Sequence, residues 1–200
     1  MSKTLDFYYD FGSPNAYLAH QALPPLARRL GVSIAYKPIL LGGVFKATGN
    51  RSPMEAFGGI RHKLAYYQRE TQRFARRHEI KFYMNPHFPI NTLSLMRGAM
   101  HAQGKPWEGD YINAVFDAIW VHGQKMDDPS VITDVLRERN LPAREVMEAV
   151  QSAEVKQALL KATEAAVERG VFGAPMIFLG DEPYFGKEAI YELEVELSDA

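Results

Sequence analysis

The spacing of apolar residues along the chain divides it into three stretches of different character. Residues 5–9, LDFYY, form a short aromatic run closed by Asp10-Phe11-Gly12, which predicts a buried strand ending in a turn. Ser13-Pro14 then has the composition of a helix start, a hydroxyl for capping followed by proline at the first helical position. Leu18, Ala22, Leu26 and Leu30 follow at steps of four and end at Gly31, a residue suited to the left-handed position after a helix. Pro24-Pro25 fall inside that pattern, and a kink or restart is expected there. Val32, Ile34 and Tyr36 alternate into a second strand before Pro38, so the opening reads strand–helix–strand with parallel strands.

From about residue 52 to 170 the period is helical and strand signal is almost absent. Phe57, Ile60, Leu64, Tyr67, Thr71 and Phe74 advance by three or four, and Tyr111, Val115 and Ile119 repeat the step. Asp128-Pro129 predicts another helix start, and Val155, Leu159, Ala162 and Ala166 form a last stripe closed by Gly170. Strand character returns in Met176-Ile177-Phe178-Leu179, followed by turn residues 180–183, a returning strand at Tyr184-Phe185 and a helix from about Lys187. The order is therefore βαβ, a helical block, then ββα.

Composition narrows the chemistry. With 46% hydrophobic residues, 24% charged residues and a net charge of −1, the chain suits a compact water-soluble unit with no basic surplus for nucleic acid. No apolar run approaches a membrane span. The first residues, Met1 to Asp6, show no signal-peptide core, and Ser198-Asp199-Ala200 matches no retention address, so a cytoplasmic location is expected. Cysteine is absent, which removes disulfides, thiolate metal sites and Cys-x-x-Cys redox centres. Sulfur chemistry would require a small molecule to bring the sulfur.

Two short segments stand out. Ser13 sits at a strand-to-helix turn, where open α/β sheets bind ligands and a helix N-terminus favours an anion. Taken alone it reads first as a plain N-cap. Phe172-Gly173-Ala174-Pro175 precedes a strand, and spacing leaves open whether its X-Pro bond is cis. Alone it reads as a strand-opening proline.

Taken together, Phe7-Tyr8-Tyr9-Asp10-Phe11-Gly12-Ser13-Pro14, Lys46-Ala47-Thr48-Gly49-Asn50, Phe172-Gly173-Ala174-Pro175 and Gly186-Lys187-Glu188 carry a resemblance over nearly the full length. The chain resembles the 2-hydroxychromene-2-carboxylate isomerases and their kappa-class glutathione transferase relatives, within the thioredoxin superfamily. Redox members have cysteines where this chain has Ser13 and Ala16. The resemblance implies an α/β thioredoxin-like domain built from residues 1–45 and 171–200, with residues 46–170 as a large inserted helical subdomain. It also implies glutathione as cofactor. Ser13 would face the glutathione sulfur and favour the thiolate of a thiol whose ordinary pKa is about 8.5. Ala174, before Pro175, would pair its backbone with the cysteinyl part. Phe185, Gly186, Lys187 and Glu188 match the segment that holds the γ-glutamyl end. Lys187 stands where relatives have a small polar residue and Glu188 where they often have aspartate. Asn50 matches an asparagine near the tripeptide.

Lys46 and Lys63 align with lysines of relatives and are candidates for carboxylates of glutathione or of an acidic substrate. Asn85-Pro86-His87 begins a turn-rich loop placed to roof a substrate pocket, with His87 as a candidate for proton chemistry. His20, His62, His78, His101 and His122 have no metal-ligand spacing. Tyr66, Tyr67, Phe74, Trp107, Tyr111 and Trp120 at helical spacing read as core or interface. The implied activity is glutathione-assisted isomerisation of an aromatic enone acid, in a homodimer. A kappa-type transferase and a non-catalytic binding module are the alternatives.

Overall fold

The computed structural model describes residues 3–198; Met1, Ser2, Asp199 and Ala200, which entered the reading of targeting signals, lie outside the described residues. Strands β1 (Thr4–Tyr9), β2 (Ser33–Pro38), β3 (Met176–Leu179) and β4 (Glu182–Phe185) form one sheet in the order β2-β1-β3-β4. β1 runs parallel to β2, with Thr4 opposite Ser33 and Tyr9 opposite Pro38. It runs antiparallel to β3, which forms a hairpin with β4. Helix α1 (Pro14–Leu30) joins β1 to β2, and α10 (Ala189–Ser198) follows β4. Between β2 and β3 come α2 (Leu41–Thr48), α3 (Pro53–Phe57), α4 (Lys63–Arg77), α5 (Leu93–Ala102) and α6 (Glu108–Trp120). They are followed by α7 (Pro129–Glu138), α8 (Ala143–Ala149) and α9 (Ala153–Glu168). This is a thioredoxin-like α/β fold. Among the described residues no helix is long and apolar enough to cross a membrane.

Both faces of the sheet are covered, and the alternation of β1 sends its side chains to two cores. Leu5, Phe7 and Tyr9 enter the larger core with α1, α5 and α6, where Tyr9, Phe11 and Phe116 meet at centroid distances of 4.8–5.8 Å. Tyr8 points the other way, into a smaller core with Val44 of α2, Ala166 of α9 and Met176 and Phe178 of β3. α2 and α9 therefore close the second face, with Thr163 accepting a hydrogen bond from the Leu40 amide at 3.0 Å.

Two sequence expectations change. α1 runs unbroken through Pro24 and Pro25, although neither proline can donate to the carbonyls of His20 and Gln21. Leu23 and Leu26 are buried on either side of the pair and hold both turns to the core. The stripe read through Phe57 and Ile60 into Leu64 is two helices, because Gly58-Gly59 interrupts it and His62 adopts a positive φ of 68°. Tyr66, grouped with the core aromatics, is 63% exposed.

His20 is buried between two partners, with Nδ1 2.8 Å from the Tyr36 hydroxyl and Nε2 2.9 Å from Asn113 Oδ1. This arrangement fits the neutral ring, which donates from Nε2 and accepts at Nδ1. Burial lowers its pKa to about 4, with the Asn113 hydrogen bond and Asp117 pulling less strongly the other way. The unfolded chain binds the proton near pH 6.5 and the folded chain only near 4, so this group removes stability as pH falls through that window. The full loss is about 3 kcal/mol. Urea unfolding of wild-type and His20→Gln across pH 7 to 4 is expected to show the wild-type slope and a flatter variant. Parallel slopes would mean that His20 is not the group responsible.

Candidate active site

The turn after β1 is held by a buried carboxylate. Asp10 accepts from the Gly12 amide at 2.8 Å, the Leu41 amide at 2.8 Å and the Thr92 hydroxyl at 2.7 Å. Burial raises its pKa, and the three hydrogen bonds pull it down less strongly. The Phe11 carbonyl accepts from Trp120 Nε1 at 2.9 Å, so the turn is fixed on both sides. Ser13 follows as the N-cap of α1, with Oγ accepting from the Ala16 amide at 3.1 Å. The same hydroxyl donates to the Ala174 carbonyl at 2.8 Å. The two segments that were separate signals in sequence, 161 residues apart, therefore meet at one hydrogen bond. The Ala174–Pro175 bond is cis, as is Phe88–Pro89.

Around this junction the structure gathers more of the candidate residues. Pro175 accepts at its carbonyl from the Gly186 amide at 3.0 Å, which fixes the start of the 186–188 turn. Gly186 has φ 84°, a conformation that glycine adopts without strain. Asn50, just after α2, donates from Nδ2 to the Phe172 carbonyl at 2.7 Å. A side chain at Gly173 would put its Cβ 2.9 Å from the Phe185 ring, so only glycine lets the aromatic residue close over this segment. Phe172 and Phe185 pair at 4.6 Å while remaining 42% and 49% exposed, a half-open aromatic lip.

Lys187 lies beneath this surface. It is 1% exposed, and its Nζ donates to Glu70 Oε2 at 2.6 Å and also to Glu188 Oε1. The aromatic faces of Tyr67 and Phe74 stand 5.7 and 5.6 Å from the ammonium. Burial opposes its charge, yet the two carboxylates raise its pKa overall. Glu188 feels burial in the upward direction, but hydrogen bonding from Lys187 brings it below the ordinary carboxylate range. Burial and the neighbouring carboxylate raise Glu70. Two carboxylates on one ammonium leave a single negative charge at the surface.

The remaining candidates are spread more widely. Lys63 is exposed and its Nζ stands 4.0 Å over the Phe57 ring, while Phe57 meets Tyr67 edge-on at 6.3 Å. Lys46 is exposed on the last turn of α2. Asn85 is buried with its amide committed to the chain: Nδ2 donates to the Ile119 and Gln124 carbonyls, and Oδ1 accepts from the His87 amide. His87 is exposed on that loop. Sequence reasoning assigned no site role to Asp10, Asn15, Tyr67 or Glu70. Asp10 was visible only as a residue of the turn that closes β1, and nothing local marked a role for the others.

Well-formed concavities also lie elsewhere on the surface. One of about 480 Å³ is lined by Tyr36, Gln103, Lys105 and Glu108 at the β2 edge and holds none of these groups. The chemistry gathered at Ser13 therefore locates the candidate site better than concavity does.

Residues 4–198 match the DSBA-like thioredoxin domain. Over 199 residues the chain is 32% identical to a 2-hydroxychromene-2-carboxylate isomerase of Sphingobium xenophagum, covering 100% of both chains. The chain belongs to that isomerase family. A solved 2-hydroxychromene-2-carboxylate isomerase superposes with a TM-score of 0.86 at 31% identity, covering 98% of this chain and 95% of that one. A human glutathione S-transferase kappa 1 is 22% identical over 88% of this chain and 80% of its own length. Family membership makes the chain an enzyme of the isomerase class, as its resemblance to the family implied.

Lys187 generates the structural prediction. Lys187→Met leaves two carboxylates facing each other without their cation, an expected loss of about 3 kcal/mol in chemical denaturation. Adding Glu70→Gln to that variant is expected to restore part of the loss. An unchanged stability in Lys187→Met would remove the ammonium as the centre of the cluster.

Proposed function

We propose that this chain is a glutathione-dependent isomerase of an aromatic enone acid of the chromene carboxylate type. The observation that carries the reading is the hydrogen bond between Ser13 Oγ and the Ala174 carbonyl, at a helix N-terminus and in a chain with no cysteine. A thioredoxin-type site is assembled there with a hydroxyl in place of a nucleophile. The likeness to a transferase named for glutathione supports a borrowed thiol.

The donor set fits the tripeptide. Ser13 turns its O–H from Ala174 toward the sulfur, and the α1 dipole favours the anion. The Glu70–Lys187–Glu188 cluster, with its surplus negative charge, suits the γ-glutamyl ammonium. Asn50 and Phe185 border the segment carrying Ala174 and Pro175. Lys46 and Lys63, both exposed, are assigned to carboxylates of glutathione or of the acidic substrate. Held against Ser13 and the Ala174–Pro175 segment, glutathione would supply the thiolate nucleophile for reversible addition to the conjugated double bond, which becomes a rotatable single bond in the adduct. The chain's part is to hold sulfur and enone in register, where orientation accounts for much of the barrier. A homodimer, drawn from the resemblance, and a cytoplasmic location, drawn from the sequence, complete the reading.

Calorimetric titration with reduced glutathione tests this, with S-methylglutathione as control. Saturable binding that tightens as pH rises through the thiol range is the expected result, with glutathione recovered unchanged from turnover. Ser13→Ala is expected to lower turnover about 100-fold while costing about 1 kcal/mol of stability. Full activity in that variant would reduce Ser13 to a helix cap.

A further inference from the structure

We propose that the outer face of α4, with the turn that leads into it, docks on an anionic lipid bilayer. α4 is thinly covered for its length. Of its fifteen residues only Thr71, Phe74 and Ala75 are buried, whereas the thirteen-residue α6 buries eight. Tyr66, Arg69, Arg73 and Arg76 advance by three, four and three residues, so they share one line along the helix, and all four are exposed. Residues 51–77 hold seven lysines and arginines against two glutamates, in a chain whose net charge is −1. The one carboxylate of α4, Glu70, is committed to Lys187. Arg69, Arg73 and Arg76 pair with no carboxylate among the described residues. Their charge faces outward with nothing from the chain to balance it.

Charge calls for an anionic partner, and the apolar residues beside it select which. Met54 of α3 is 47% exposed and Ile60, in the turn before α4, is 50% exposed. Arg73 stands 5.4 Å over the ring of the exposed Tyr66. Aliphatic side chains next to arginines and a tyrosine match the layers of a bilayer surface. The acyl boundary takes Met54 and Ile60, the lipid phosphates take the arginines, and the phenol suits the level between them. A nucleic acid would pair the arginines but leave the two aliphatic side chains in water. A second copy meeting this face about a two-fold axis would set cation against cation. Resting on the reading above, docking has a use: α4 carries Glu70 of the Lys187 cluster, so the candidate site is brought toward lipid, where an apolar aromatic acid concentrates.

Flotation with large unilamellar vesicles tests this, using phosphatidylcholine alone and an equimolar mixture with phosphatidylglycerol. The wild-type protein is expected to float with the mixed vesicles and not with phosphatidylcholine, and added salt should release it. A basic residue near an anionic surface is worth about fivefold in partitioning, so Arg69→Gln/Arg73→Gln is expected to bind about 25-fold more weakly. Ile60→Ser is expected to weaken binding about threefold through lost insertion. Both variants should keep the wild-type circular dichroism and melting temperature, because the substituted side chains are exposed. Equal binding to the two kinds of vesicle overturns the proposal, as does binding that either variant leaves unchanged. Polyglutamate or duplex DNA that binds as tightly as the mixed vesicles would assign the face to polyanions in general and overturn the bilayer. No step uses glutathione, so a protein that does not bind the tripeptide can still pass, and failure here leaves the isomerase reading intact.

Discussion

The site depends on one buried carboxylate. Asp10 ends β1 and gathers three donors from distant parts of the chain: its own turn at Gly12, the first residue of α2 at Leu41, and Thr92 just before α5. Burying a carboxylate is costly, and the three donors offset part of that cost. In return the sheet, the helix over its second face and the helical block share a single fixed point. Ser13 is three residues further on, and its amide donates to the Asp10 carbonyl at 3.0 Å. The position of the Ser13 hydroxyl is thus set by a network of buried hydrogen bonds behind the turn.

Lys187 illustrates a second constraint. Relatives place a small polar residue there by resemblance, whereas this chain buries a full ammonium. The charge is tolerable because Glu188 is its neighbour in sequence and Glu70 reaches it from α4. Two aromatic faces complete the enclosure. The cluster also couples the 186–188 turn to α4, the helix that carries Tyr67. A ligand cation drawn to these carboxylates would therefore be held by the turn and α4 together.

How much of this was legible in the sequence follows the range of each interaction. The strands, the cap at Ser13, Gly31 after α1 and the helix start at Asp128-Pro129 were legible because their causes are local: period, a capping side chain, a glycine, a proline. Ser13 and Ala174-Pro175 were each visible as candidates, yet the hydrogen bond that joins them spans 161 residues and leaves no local trace. The same holds for Asp10, whose partners sit 31 and 82 residues away. The unbroken α1 defied a sound local rule because buried leucines on both sides of Pro24-Pro25 outweigh the two missing hydrogen bonds. Asn85 looked like loop polarity, but its amide fastens the loop to Ile119 and Gln124.

A cysteine-free thioredoxin-type site must divide labour that a redox relative concentrates in one residue. Ser13 Oγ already has two hydrogen bonds, one accepted from Ala16 and one donated to Ala174. It has a single proton, so favouring an anion there means giving up the bond to Ala174, and the same proton cannot also serve a second oxygen. Any additional group that gains negative charge near the helix start needs its own donor.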